Sequence, residues 1–163
     1  METIKIIGLG NGFAGDDAIG NIVARQLLFY QTPFISIMEG ALSGLNLLEE
    51  MEGVDKLILI DAVSSQSETG TIYRLAIPRD LNAVEQLTWG SSTSSTHAFG
   101  LGEALTLATI LELLPQQVIL YGIELGHIQQ GGPLSPRMAQ AIPFLIVRIV
   151  NEELQHFPCM NSN

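Results

Sequence analysis

Leu57-Ile58-Leu59-Ile60 is an unbroken apolar run that ends on a carboxylate, Asp61. A strand with one wet face alternates apolar and polar residues, so a run without alternation has to be buried on both faces, like a central strand of a parallel sheet. That requirement dictates helices on both sides of the sheet. It also sets Asp61 at the carboxyl end of a central strand, in the crevice where open α/β sheets hold their ligands.

The remaining pattern agrees with this frame. Apolar, β-branched runs at Ile4–Leu9, Phe34–Met38, Leu57–Ile60, Thr71–Ile77 and Val118–Ile123 predict five strands. Helical spacing of Ile19, Ile22, Val23 and Leu27, and of Leu45, Leu48 and Met51, predicts two helices. A third is expected from about His97 to Leu114. The last begins at Ser135-Pro136, where Ser135 can cap the free amides and Pro136 suits the first turn, and runs to about Leu154. Thr71–Ile77 follows the third strand with only a short loop and no helix, which makes it an antiparallel edge strand. The expected fold is a three-layer α/β sandwich: a twisted five-stranded, mostly parallel sheet with helices on both faces and one antiparallel edge strand. The 163 residues contain no repeat and no dividing linker, so one domain spanning 1–163 is expected, with a short polar tail from about residue 155.

Charge narrows the partners. With 7 Lys+Arg against 17 Asp+Glu the net charge is -10, a field that repels phosphate backbones and anionic lipid surfaces. Nucleic acid and membrane are therefore not expected as partners. The longest apolar runs, such as Pro143 to Ile149, fall short of the roughly 20 residues of a membrane span. No secretory signal is visible. The lone Cys159 can form no internal disulfide, so a reducing cytoplasm is expected. A soluble protein is expected, and a monomer.

Gly8-Leu9-Gly10-Asn11-Gly12-Phe13-Ala14-Gly15-Asp16-Asp17 joins the first strand to the first helix. Such a turn usually cradles phosphate, but Phe13 stands where the dinucleotide fingerprint wants glycine, and two carboxylates follow where bare amides are needed. At about 4 Å and an effective dielectric of about 20, each added like-charge pair costs on the order of 4 kcal/mol. The turn is built to repel anions. Asp16 reads as the N-cap of the helix and Asp17 as an acid in its first turn. His97 opens the third helix after the low-complexity stretch 91–96, on the strand-end side of the sheet. His127 and His156 lack such placement and read as non-catalytic.

Asp17, Asp61 and His97 thus supply two oxygen donors and one imidazole from separate segments to one edge of the sheet. A divalent cation would offset the clustered negative charge, and three ligands leave positions open for water or substrate. No His-Glu-x-x-His helix is present, so this is no ordinary zinc protease.

The residues resemble the hydrogenase maturation proteases. The ordered landmarks are Gly8-Leu9-Gly10-Asn11 followed by Asp16-Asp17-Ala18-Ile19-Gly20, then Glu39-Gly40 with Gly44, then Leu59-Ile60-Asp61-Ala62, then His97-Ala98-Phe99-Gly100-Leu101, then Leu134-Ser135-Pro136. Many relatives carry glycine at the position of Ala18 and proline at that of Leu125; neither position supplies a ligand. The resemblance implies that Asp17, Asp61 and His97 are the metal ligands and catalytic residues. Asp16, Gly8, Gly10, Asn11, Glu39, Gly40 and Gly44 support them, the glycines by letting backbone approach an incoming tail. It implies nickel as the metal, brought by the partner, the large-subunit precursor of a nickel-iron hydrogenase, from which a C-terminal peptide is cut. Nickel would polarise the scissile carbonyl or lower the pKa of an attacking water. A nickel-sensing chaperone that grips the precursor without cutting it would use the same ligands.

Overall fold

The computed structural model describes residues 1–10, 18–40, 44–90, 99–126 and 133–155. In chain order the elements are β1 (Ile4–Leu9), α1 (Ile19–Leu27), β2 (Ile35–Gly40), α2 (Gly44–Glu49), β3 (Lys56–Ser64), β4 (Ile72–Ile77), α3 (Leu81–Gln86), β5 (Thr88–Trp89), α4 (Leu101–Ile110), β6 (Gln117–Glu124) and α5 (Pro136–Glu153). The strands form one sheet in the order β2-β1-β3-β6-β4, with β5 paired to β3 off that path. β1 runs parallel to β2 and β3, and β3 parallel to β6. β4 is the antiparallel edge strand that the short β3–β4 loop requires.

The sheet has six strands rather than five. The two-residue β5 pairs Val63 with Trp89 and Ser64 with Thr88, and is too short to leave an apolar pattern. Helix α3 was likewise invisible to periodicity, because Val84 is the one residue it buries. Helix α4 begins at Leu101, four residues after the expected start at His97, with Gly100 at its N-cap in extended conformation. At α5 the expectation holds for the boundary but not for the cap bond. Ser135 stands at the N-cap and Pro136 follows it, but the serine side chain makes no capping bond to the first turn. The N-cap of α1 falls on Ala18, which has no side-chain acceptor, so the helix start lies two residues beyond the Asp16 expected to cap it.

Strand parity divides the core. Ile58, Ile60 and Ala62 of β3 pack with Val23 of α1 and Leu145 of α5 on one face. Leu57, Leu59 and Val63 pack with Leu47 of α2 and with Leu101 and Leu105 of α4 on the other. All six of these β3 side chains are fully buried, which is why the run carries no polar alternation.

Helix α1 sits on β1 closer than side chains allow. A Cβ added at Gly8 would lie 2.2 Å from the Gly20 carbonyl oxygen, and one added at Gly20 would lie 2.2 Å from the Leu9 oxygen and 2.3 Å from the Ile60 oxygen. Backbone meets backbone there, so neither clash can be relieved by turning a side chain. The space beside Gly8 is filled by α1. Gly20→Ala is expected to cost at least about 2 kcal/mol, above the gain in helix propensity that alanine brings. Urea unfolding at constant slope checks this, and an unchanged midpoint would show that α1 can lift without loss.

Candidate functional site

The chain leaves β1 through α1 to β2 on one side, then returns through α2 to β3 on the other. The strand order therefore reverses between β1 and β3, and α1 and α2 lie on opposite faces. At such a point the loops beyond the two strands separate and open a crevice.

Asp61 lies at that point. The β1–β3 ladder ends at Gly8 opposite Ile60, and Asp61 is the next residue of β3. It is fully buried, with none of its surface exposed. It shares the parity of Leu59 and Val63, so its side chain belongs to the face covered by α2 and α4. The strand does not end there, as the sequence suggested, but continues to Ser64 along β6, with Asp61 opposite Gly122.

Three described segments pack around the part of β3 that carries this residue. Ala18, Ile19 and Gly20 bring the start of α1 against the crevice, with Gly20 pressed on the Ile60 carbonyl of the peptide that leads into Asp61. From the other face come the first residue of α2 and the entry to α4. The Gly44 amide donates to the Phe99 carbonyl at 3.2 Å, and a Cβ on Gly44 would stand 2.4 Å from that same oxygen. Only glycine lets the two helix starts sit this close.

Gly10 has φ of +121°, a conformation open to glycine and rare for other residues, and turns the chain out of β1. Gly40 closes β2 opposite Leu9. Glu39, in register with Gly8, is held by Arg25 of α1, whose Nε donates to Oε1 at 2.6 Å and whose second nitrogen donates to Oε2 at 3.0 Å. That guanidinium keeps the Glu39 carboxyl below the usual range. Asn11, Asp16, Asp17 and His97 lie outside the described residues, as do His127, His156 and the stretch 91–96.

Sequence reasoning passed over three participants. Asn21, on the third residue of α1 and buried, donates from Nδ2 to the Gly10 carbonyl at 3.1 Å and accepts from the Gly40 amide at 3.3 Å. It ties the ends of β1 and β2 together; losing it would leave the buried Gly10 carbonyl unpaired, at about 1–3 kcal/mol, and the half-buried Gly40 amide without its partner. An amide in the buried stripe of an otherwise amphipathic helix was the available signal. Trp89 lies over Gly122, the register partner of Asp61: a Cβ there would meet the indole at 3.0 Å. Its Nε1 donates to the Val84 carbonyl at 2.9 Å, which fixes the ring. Glu124, on the same face as Asp61 and only 2% exposed, accepts from the Ser65 amide at 2.9 Å and pins the chain as it leaves β3.

A buried carboxylate among closely packed glycines can present an oxygen donor to a first-row divalent ion or hold a proton. Among the described residues no further histidine, cysteine or acid completes a metal-binding group with it, and no helix is long and apolar enough to cross a membrane.

The hydrogenase maturation protease family model (HycI) matches residues 23–152. The hydrogenase expression/formation protein HupD of Bradyrhizobium diazoefficiens is 30% identical over 142 residues, spanning 85% of this chain and 71% of that protein. The hydrogenase 2 maturation protease of Escherichia coli is 29% identical over 123 residues, 74% of this chain and 71% of that one. The solved hydrogenase maturating endopeptidase HybD of Escherichia coli shares the fold, with a TM-score of 0.75 over 91% of this chain and 90% of that chain at 23% identity. With a buried aspartate at the strand-order reversal and a family match that spans most of its length, this chain belongs to the hydrogenase maturation proteases.

Proposed function

We propose that the chain is a nickel-dependent endopeptidase that removes a C-terminal peptide from the nickel-loaded large-subunit precursor of a nickel-iron hydrogenase. The observation that carries this reading is Asp61, fully buried on β3 where β1 and β3 part, in a chain of this family. In this reading Asp17, directly before Ala18, and His97, two residues before Phe99, join Asp61 around nickel that arrives with the precursor. Of the described residues near them in sequence, Gly20 lies against the Ile60 carbonyl and Phe99 against Gly44.

The chain's own residues then have separate tasks. Asp61 and Asp17 give anionic oxygens and His97 a neutral nitrogen, a donor set that suits a first-row divalent ion and leaves positions open. Such an ion supplies Lewis acidity at the scissile carbonyl, or makes a bound water acidic near neutral pH. Burial of Asp61 keeps bulk water from screening that interaction. Asp16 would support Asp17 in that role. Gly10 and Gly40 leave the rim low enough for the precursor backbone, while Glu39 stays committed to Arg25.

Incubation with purified precursor, loaded with nickel or free of it, tests the reading by intact mass. The expected result is a shortened large subunit only in the loaded sample. Equal cleavage of both would remove nickel from the account, and a stable uncut complex would favour a chaperone.

A further inference from the structure

On the α2/α4 side of the sheet, α3, β5 and α4 line an open groove of about 550 Å³. Leu87, Trp89, Leu107 and Ile110 give it apolar walls, and Glu85 of α3 and Glu103 of α4 are both in its lining. Trp89 in its lining is the indole that lies over Gly122, the register partner of Asp61. The groove therefore neighbours the candidate site through this ring. Along α4 it extends from Gly102 to Ile110, about 12 Å at the helical rise, which matches about four residues of extended chain.

The charges say what such a segment would carry. Each of the 7 Lys and Arg side chains is already ion-paired inside the molecule, to Glu50, Glu39, Glu153, Glu152, Asp80 or Glu68. None is paired with Glu85 or Glu103. Glu85 is nevertheless held in place, because Thr106 of α4 donates its hydroxyl to Oε1 at 2.6 Å. Ile110 is 71% exposed, an apolar surface that the described residues leave largely uncovered. A lysine or arginine for these carboxylates comes only from another molecule.

We infer that this groove receives a short segment of the precursor, with apolar side chains against Trp89 and Leu107 and a lysine or arginine between Glu85 and Glu103. The inference rests on the precursor-processing reading for the identity of the partner. The segment docks along α4 and leads the chain past Trp89 into the crevice, so the groove contributes to capture rather than to bond cleavage. Glu85 and Glu103 are positioning residues in this scheme.

Charge reversal separates the two roles. Binding of nickel-loaded precursor is measured by interferometry, and cleavage by intact mass, for the wild type, for the double variant Glu85→Lys/Glu103→Lys and for Ile110→Ser. All three substituted side chains are exposed, so melting midpoints should stay close to that of the wild type. The expected result is a Kd and a KM raised at least tenfold in the double variant and severalfold in Ile110→Ser, with kcat within twofold. Wild-type affinity should also fall as salt is raised from low to physiological strength, and that of the double variant should not. A double variant that binds precursor within twofold of the wild type would overturn the proposal. Tenfold weaker binding by the double variant, together with a wild type that holds but never cuts the precursor, would support the groove and sink the peptidase reading.

Discussion

Asp61→Asn is expected to reduce processing of nickel-loaded precursor at least about 100-fold while the protein stays folded. Substitution of groups that merely orient metal ligands commonly costs 10- to 100-fold, so loss of a direct ligand should cost no less. Asparagine is the informative replacement because it preserves the volume of a side chain that has none of its surface exposed. Alanine would open a cavity, and glutamate would force an extra methylene into the face shared with Leu59 and Val63, so either could impair activity by moving the strand. Asparagine also removes the cost of keeping a charge in the interior, so the melting midpoint should hold within a few degrees or rise. The measurement is the rate at which the precursor loses mass, beside a thermal melt of the same preparation. A normal rate in the asparagine variant would remove Asp61 from the chemistry. A collapsed melt would instead make it a structural residue.

The second large effect is expected at the opposite end of the sheet. Glu153, in the last turn of α5, receives Lys56 Nζ on Oε2 at 2.7 Å, Arg74 Nε on Oε1 at 2.8 Å and the Tyr121 hydroxyl on Oε1 at 2.7 Å. Its side chain is 1% exposed and that of Lys56 8%. Replacing Glu153 with alanine leaves Lys56 buried beside Arg74 with no counter-charge, a loss of about 3–5 kcal/mol. Burial by itself would push the Glu153 carboxyl up, but its hydrogen bonds from Arg74, Lys56 and Tyr121 outweigh that and hold it below the usual range. The folded form therefore releases this proton at lower pH than the unfolded chain does. Its contribution is fully present above the unfolded pKa of about 4.3, and is lost as pH falls through the lower folded value. Urea midpoints at pH 7 and through the acid range would show a steep decline in the wild type and a flatter one in Glu153→Ala. Parallel curves would mean that other carboxylates govern acid unfolding.

How far the sequence reached depended on the range of each interaction. β1 was read to the residue, because Ile4–Leu9 is an apolar run with a glycine turn behind it. β3 was cut short at Ile60, because a buried aspartate breaks hydropathy without breaking a ladder. The position of Asp61 in the crevice followed from strand logic alone, whereas the closeness of Gly20 to Ile60 did not, since it depends on how α1 settles on the sheet. Asn21 was missed for a similar reason: its partners, Gly10 and Gly40, are ends of two strands whose adjacency is tertiary. Glu39 drew attention through its motif, yet its charge is met by Arg25 one helix away. Glu153 was unmarked next to the exposed Glu152, and only the return of α5 over Lys56 and Tyr121 shows that it is interior.

The parity of β3 has a consequence for how this molecule tolerates change. Ile60 and Ala62 face α1 and α5, and Asp61 between them faces α2 and α4. Adding or deleting one residue upstream of Asp61 within the strand would rotate the carboxylate through half a turn into hydrocarbon, and swing two aliphatic groups out toward the crevice. The site thus has a phase as well as an address. Length changes are affordable in the connections around β3, and a single-residue slip inside it silences the aspartate without altering any residue's identity.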